Sequence, residues 1–173
     1  MKPFSKRPIW AIILLAAVFS VVMGQVSHAK LTDPEQLVSF LKIELPGWQV
    51  EQGYPKLERI KRKGRSYVEA QIIYTSGKSA LAAAIMEGEV STHIADIKKF
   101  PKADNEKGYC RKTTMQGVET VEIYDKRNKN AFLFLIVANN CMIPMEGKEV
   151  DSPKPLKDLA NKIDLKRLAA LVK

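Results

Sequence analysis

Outside the N-terminal region, apolar residues concentrate most strongly in Ala131–Met145, which reads AFLFLIVANNCMIPM between two polar stretches. The run to Ala138 is rich in Phe, Leu, Ile and Val, which is typical of a strand covered on both faces at the centre of a sheet. A buried helix is the alternative, but the run is short for one and Asn139-Asn140 interrupts it as a turn would. The pattern therefore predicts a central strand followed by a second strand, Cys141–Met145, in which Pro144 indicates a sheet edge.

Alternation of apolar and polar positions predicts further strands of an antiparallel sheet. They are Trp48–Gln52 and Leu57–Arg62 at an edge, Tyr67–Tyr74, Ala80–Met86, and a meander of Tyr109–Met115, Val118–Tyr124 and Ala131–Ala138. The alanines of Ala80–Met86 also suit a helix, but the flanking glycines favour a strand. The meander turns at Gln116-Gly117 and Arg127–Lys129, which places Cys110 opposite Ile123 and Ile123 opposite Leu133.

Helix signals precede, interrupt and follow these strands. Asp33-Pro34 is a strong helix start, and apolar residues at helical spacing continue to Leu45 before Pro46-Gly47. Ser91 or Thr92 is expected to cap a short helix that carries Val90, Ile94 and Ile97. Leu156–Lys162 predicts a third helix, and Asp164 a final turn or two bearing Leu165, Leu168 and Leu171. The fold class expected is α+β, an antiparallel β-sheet with N- and C-terminal helices packed on it in an α/β/α sandwich-like arrangement.

The first 29 residues have the three-part layout of a secretory signal peptide. Lys2, Lys6 and Arg7 form a positive region, and Ile9–Met23 is uncharged and apolar. Ser27 and Ala29 are small residues at the −3 and −1 positions of a cleavage site before Lys30. The apolar segment is shorter than the roughly 20 residues of a bilayer span, so an uncleaved anchor is the less favoured alternative. We therefore expect residues 1–29 to be removed, residues 30–173 to form a single periplasmic or secreted α+β domain, and no membrane span to persist.

Short motifs give the chain a resemblance to a known family. They are Leu45-Pro46-Gly47-Trp48, the turn Tyr74-Thr75-Ser76-Gly77, Gly117 between paired strands, and Ile163-Asp164-Leu165 with Leu168. In these motifs the chain resembles a family of short exported bacterial proteins with no assigned activity, and its order of elements is similar to the Mog1/PsbP-like fold. At the start of the last strand, a typical member has an aromatic or aliphatic residue, whereas this chain has Cys141. The resemblance implies a fold and a compartment and carries no active site.

Few residues are available for catalysis or metal binding. His93 is the one histidine after the leader, too few for a His-rich zinc or copper site, and we expect it to face solvent or a helix end. No nucleophile elbow, phosphate-binding loop, dinucleotide fingerprint or metalloprotease motif occurs, so no cofactor is expected. The neighbouring carboxylates Glu87 and Glu89, and Glu119 and Glu122, are interpreted as solvated strand faces rather than acid–base pairs.

Two cysteines leave two alternatives open. An exported chain with only Cys110 and Cys141 suggests a disulfide. The predicted meander separates them by roughly 17 Å at the usual strand rise, whereas a bridge needs Cα atoms within about 7 Å. Two free, largely buried thiols are therefore favoured over the disulfide.

Basic residues cluster within ten positions, and the net charge of +9 falls to +6 once the leader's three cations are removed. The cluster comprises Lys56, Arg59, Lys61, Arg62, Lys63 and Arg65. It is expected either to keep an edge hairpin soluble or to bind an acidic protein or an anionic envelope component. Trp48 is expected to seal the first helix against the sheet or, alternatively, to stack on a ligand.

Taken with the absence of a catalytic motif, these features predict an exported, non-enzymatic accessory or binding module. Contact is expected through the basic edge Lys56–Arg65 or through a cleft beside Trp48, and nucleic acid is not an expected partner in that compartment. The alternative is a small-ligand carrier, or a thiol- or carboxylate-dependent enzyme, in the same fold. A deep pocket that gathers Cys141, Tyr74 or Glu122 would favour this alternative.

Overall fold

One antiparallel sheet organises residues 31–62 and 65–172, the part of the chain that the computed structural model describes. The strands are β1 (Gln49–Val50), β2 (Lys56–Arg62), β3 (Arg65–Ser76), β4 (Ser79–Gly88), β5 (Ala103–Asn105), β6 (Gly108–Met115), β7 (Val118–Asp125), β8 (Asn130–Ala138) and β9 (Cys141–Lys148). The helices are α1 (Pro34–Ser39), α2 (Ser91–Lys98), α3 (Lys154–Lys162) and α4 (Leu165–Leu171). The predicted signal peptide, residues 1–29, lies outside the described residues.

The sheet order is β1-β3-β4-β9-β8-β7-β6-β5, and β2 also pairs with β3. The α+β class and the antiparallel sheet are therefore confirmed. The strand β8 lies in the interior of the sheet, as its apolar run predicts, and β1 and β2 lie along an edge. The segment with the many alanines is the strand β4, and its alternative as a helix is wrong.

The predicted edge position of the last strand is wrong, because β9 lies between β4 and β8. Pairing between β4 and β9 runs from Ala80 to Ala83 and resumes at Met86, so it skips the residues opposite Pro144 and Ile143. Proline has no N–H to donate. The sheet accommodates Pro144 by a local gap in one ladder rather than by exposing the whole strand.

The register of the meander is correct in one hairpin and shifted in the next. Cys110 pairs with Ile123, as the Gln116-Gly117 turn predicts. Ile123 pairs with Phe132 rather than with the predicted Leu133. The shift arises because the connection from β7 to β8 has four residues after Asp125, whose carboxylate accepts hydrogen bonds from the backbone of Arg127 and Asn128.

The helices begin close to where the sequence predicts, but two details differ. Asp33 caps α1 by accepting from the backbone of Glu35 at 3.2 Å, yet α1 ends at Ser39 rather than near Leu45. Ser91 is the first residue of α2 and not its cap, since the cap position is Val90 and makes no side-chain bond. Within the described residues, no helix combines the length and the apolarity that crossing a bilayer requires.

Two hydrophobic clusters use alternate residues of the same strands. The larger cluster joins residues of α1, α3 and α4 to one face of the sheet, for example Leu37, Ile72, Leu133 and Leu156. The smaller cluster joins Ile94 and other residues of α2 to strand residues of the opposite parity. The strands β1 and β2 lie at one edge of the sheet, and α1 packs against β2 and β3 there.

Candidate binding site

A cleft of about 430 Å³ lies beside Trp48, where the loop after α1 meets β1, β3 and the end of α3. Its apolar wall consists of Ile43, Leu45, Pro46, Trp48 and Val50, and its polar groups belong to Glu44, Tyr74 and Lys162. Val50 is 47 % exposed, one of the few large aliphatic side chains left open to solvent in the described residues. Leu45 is only 8 % exposed and anchors the wall in the core.

Three long-range hydrogen bonds hold the walls of the cleft in place. The Tyr74 hydroxyl donates to the carbonyl of Leu41 at 2.5 Å and accepts from the amide of Ile43 at 3.0 Å. The Lys162 ammonium donates to the carbonyl of Glu44 at 2.8 Å. The loop that forms one wall is therefore tied both to the sheet and to α3, and the cleft is formed before any ligand arrives.

The polar side chains at the cleft differ in how much of their hydrogen-bonding capacity is used by the protein. A lysine ammonium carries three donors, and the hydrogen bond to Glu44 uses one of them. The other two have no acceptor within residues 31–62 and 65–172. The side chain of Glu44 is exposed, and it contributes its carbonyl rather than its carboxylate to Lys162. Burial raises the pKa of the Tyr74 phenol, so this group stays neutral.

The predicted basic patch does not form one face. The side chains of Lys56, Arg59 and Lys61 are exposed on β2, and Arg62 is the last residue of that strand. Register places Lys56 on the sheet face of Gln71, whereas Arg59 shares the opposite face with Val68. The charges therefore line both sides of one exposed edge.

The remaining members of the predicted patch lie elsewhere. Arg65 begins β3, and its guanidinium donates to the hydroxyl of Thr92 at 3.0 Å, which draws it toward α2. Trp48 is half-buried in the cleft, beside β1 rather than β2. Lys63 lies outside the described residues. The structure thus separates a basic edge, defined here as Lys56, Arg59, Lys61 and Arg62, from the cleft beside Trp48.

One carboxylate that was predicted to lie at the surface is buried. Glu122 was expected on a solvated strand face, but it is 1 % exposed. Its carboxylate accepts a hydrogen bond from the Tyr109 hydroxyl at 2.5 Å and bidentate hydrogen bonds from the Arg111 guanidinium at 3.0–3.1 Å. It also forms an ion pair with the Lys157 ammonium at 2.9 Å. The predicted register already places Arg111 opposite Glu122, so counting from the Gln116-Gly117 turn could have found this pair.

The protonation of Glu122 follows from these contacts. Burial by itself raises the pKa of the carboxyl, but the hydrogen bonds from Tyr109, Lys157 and Arg111 outweigh it and hold the pKa below the ordinary 4.5. The pKa of Tyr109 is raised by burial and by its bond to Glu122. Glu122 is therefore an ionised carboxylate whose oxygens are occupied by protein donors.

Both cysteines are free thiols in the structure. Cys141 is fully buried in the larger cluster, and burial, reinforced by the nearby Glu87 carboxylate, raises the pKa of its thiol to about 12. Cys110 is half-buried beside the smaller cluster, and burial raises the pKa of its thiol as well. Neither thiol lines the cleft beside Trp48.

The remaining candidate catalytic residues, Glu87, Glu89 and His93, lie in structural surroundings. Glu87 is 4 % exposed and accepts from the backbone of Thr32 at 2.9 Å, and Glu89 accepts from the backbone of Ser66 at 2.6 Å. His93 is half-buried, and burial together with the Arg65 charge lowers its pKa. Among the described residues, no group of three or more His, Cys, Asp or Glu side chains could hold a metal ion.

No protein-family model, curated protein or solved structure gives a significant match to the chain. The resemblance to a family of short exported bacterial proteins therefore stays a prediction.

Proposed function

We propose that the chain is an exported, non-enzymatic accessory or binding module that docks an acidic partner protein or an anionic envelope surface through the basic edge. The observation that carries the proposal is the position of β2. This seven-residue strand pairs with β3 and, within the described residues, with no other strand, so its outer side faces solvent.

An edge strand presents unpaired backbone groups and side chains from both sheet faces to whatever lies alongside it. The alternation that divides Lys56 from Arg59 therefore does not separate them from an edge-on partner. Lys56 also packs over the ring of Tyr54, with its ammonium 4.8 Å from the ring centroid, while the side chain remains exposed. A partner carrying negative charge along its length would meet cations above and below the contact line.

The proposal is tested by reversing charge at the edge. The variant Lys56→Glu/Arg59→Glu/Lys61→Glu should lose most of its binding to an acidic partner and to vesicles rich in phosphatidylglycerol. The matched control is Lys102→Glu/Lys107→Glu/Lys126→Glu, which makes the same charge change at exposed positions near the other end of the sheet. Binding that falls equally in both variants would reduce the effect to net charge, and binding that survives in both would exclude the basic edge.

The two classes of partner are separated by the same experiment. Loss of vesicle binding alone identifies an envelope surface, whereas loss of a protein partner with vesicle binding absent from the start identifies an acidic protein. Raising the salt concentration should weaken either interaction, because exposed charges are screened within about 8–10 Å at physiological ionic strength.

Export is the second part of the proposal, and its support is the three-part layout of residues 1–29. Mass spectrometry of the protein recovered from the host's envelope fraction should give a chain that starts at Lys30. A chain that keeps residues 1–29 would instead favour the membrane-tethered alternative.

A small-ligand carrier is the second candidate function, and the cleft of about 430 Å³ favours it. Tyr74 lines this cleft, but Cys141 and Glu122 do not. Because Cys141 is fully buried and Glu122 is held by three side chains, the structure gives less support to a thiol- or carboxylate-dependent enzyme.

We also propose an α/β/α sandwich as the finer description of the fold. In its favour, α1, α3 and α4 contribute to one hydrophobic cluster, whereas α2 contributes to the other. A crystal structure in which α2 lies on the same face as α3 would contradict it.

A further inference from the structure

We propose that the cleft beside Trp48 binds a single-chain apolar carboxylate, such as a medium-chain fatty acid, with its carboxylate on the Lys162 ammonium. This site is distinct from the basic edge. None of Lys56, Arg59 and Lys61 lines the cleft, and Lys162 belongs to α3 at the opposite end of the chain. The inference concerns the small-ligand candidate function and does not depend on docking through β2.

The size and lining of the cleft match a small apolar body. Its volume of about 430 Å³ lies within the range of roughly 300–1,000 Å³ that small-molecule pockets occupy. The indole of Trp48 and the exposed side chain of Val50 face the same space. Removing such apolar surface from water favours binding in proportion to the area covered.

The polar end of the cleft matches one negative charge. The Lys162 ammonium is positioned by the carbonyl of Glu44 at 2.8 Å and keeps two donors that no described residue accepts. A carboxylate can accept both, and a charge-assisted hydrogen bond is about twice as strong as a neutral one. One ammonium pairs with one carboxylate, whereas a phosphate monoester would bring a second negative charge to a cleft that Glu44 also lines.

The cleft also meets the requirement of preorganisation. The Tyr74 hydroxyl ties the loop at Leu41 and Ile43 to the sheet, so the ligand does not have to order that loop. Binding loses affinity whenever loops must be ordered on association. An apolar carboxylate would therefore bind in a cleft whose wall is already ordered.

The first measurement uses the fluorescence of Trp48. The sequence contains two tryptophans, Trp10 and Trp48, so a Trp10→Phe background in the full chain reports on Trp48 alone. Decanoate below its micelle concentration should change this fluorescence saturably, and it should bind about tenfold more tightly than decanol, which lacks the charge. Decyltrimethylammonium, with the opposite charge, should bind more weakly than either.

Variants separate the two parts of the site. Lys162→Met should reduce decanoate affinity about tenfold and leave decanol affinity unchanged, whereas Lys166→Met, an exposed lysine of α4, should change neither. Val50→Asp should weaken both ligands, and Leu171→Asp, which alters a comparably exposed aliphatic residue on α4, should not. Glu44→Gln should preserve decanoate binding, because Glu44 positions the Lys162 ammonium through its backbone carbonyl.

Several outcomes would overturn the proposal. Equal affinities for decanoate and decanol would remove Lys162 from the site, and tighter binding of decyltrimethylammonium would assign the charge recognition to Glu44. No fluorescence change with any of the three ligands would exclude the cleft. The triple variant Lys56→Glu/Arg59→Glu/Lys61→Glu should bind decanoate normally, so failure of the edge proposal and failure of this one are distinguishable.

Discussion

The hydroxyl of Tyr109 donates a 2.5 Å hydrogen bond to Oε1 of Glu122, on the strand that pairs with its own. The same carboxylate forms ion pairs with Arg111 on β6 and with Lys157 on α3. One buried charge therefore connects two strands to a helix. A buried charge is stable only when it is paired and hydrogen-bonded. A substitution at Glu122 that leaves its partners unpaired should therefore be costly.

Glu122→Gln should lower the free energy of unfolding by about 2–3 kcal/mol, since an amide nitrogen would then face donors of Arg111 and Lys157. Urea denaturation at neutral pH measures the loss. The control is Glu119→Gln on the same strand, where the ion pair with Lys98 is over 40 % exposed on both sides and should contribute less than about 1 kcal/mol. Equal losses in the two variants would contradict the structural role of Glu122.

The contribution of Glu122 should disappear in acid. Its pKa in the folded protein lies below the ordinary 4.5, so its stabilisation is present above 4.5 and is lost as the pH falls from there through the folded pKa. Urea titrations at successive pH values should show the difference between the native chain and Glu122→Gln shrinking only below about 4.5. A difference that already changes between pH 6 and 8 would contradict the assignment of this effect to Glu122.

The thiols should react in a fixed order. Cys110 is half-buried and should be modified by a thiol reagent in the native protein, while Cys141 is fully buried with a pKa raised to about 12 and should react only after unfolding. An assay with Ellman's reagent should count one thiol in buffer and two in denaturant. Two thiols counted only after reduction would show a disulfide and would contradict the structure.

Gly108 should not tolerate a side chain. Its φ is +152°, and a Cβ there would lie 2.0 Å from the carbonyl oxygen of Tyr124 on the paired strand. Gly108→Ala should cost on the order of 3 kcal/mol or more, because backbone atoms would have to move. Gly117→Ala is the control: its φ is +83° but its surroundings are open, so backbone strain of about 1–2 kcal/mol is the expected cost. Thermal or urea unfolding of both variants gives the comparison.

Tyr74→Phe should loosen the wall of the cleft. The change removes the donor to Leu41 and the acceptor for the Ile43 amide, at a cost of about 1–2 kcal/mol. Hydrogen exchange of the Ile43 amide should become faster, while that of Glu51, which donates to the carbonyl of Ile73 in the neighbouring strand, should change less. Unchanged exchange at Ile43 would mean that the hydroxyl does not hold this loop.

Short-range signals predicted those parts of the fold that depend on neighbouring residues. The turn at Gln116-Gly117 has positive φ at both residues, 48° and 83°, as a tight two-residue hairpin turn requires, and the register of β6 and β7 follows from it. The four-residue connection after Asp125 permits more than one register, so the predicted turn at Arg127–Lys129 misplaced the partner of Ile123 by one residue. Pro144 predicted an edge because the sequence does not show that one ladder could open locally.

The candidate site was predicted only in part, for a similar reason. Trp48 and a cleft beside it were expected, but 118 residues separate Lys162 from Glu44, and no local pattern links them. Lys157 likewise reaches Glu122 only because α3 packs near β7. Strand alternation could have predicted that the basic cluster lies on two faces of the sheet. It could not have predicted the side-chain contact of Arg65 with Thr92.

The ladder between β4 and β9 has a consequence for how the chain folds. Among the described strands, all other pairs join strands close in sequence, either in the β1–β4 half or in the β5–β9 meander. The β4–β9 ladder joins strands far apart in sequence, and Pro144 interrupts it. Local hairpins close quickly and distant pairings slowly, so the two halves should form first and dock along this line last. The same line is where native-state hydrogen exchange should detect the first cooperative opening of the sheet.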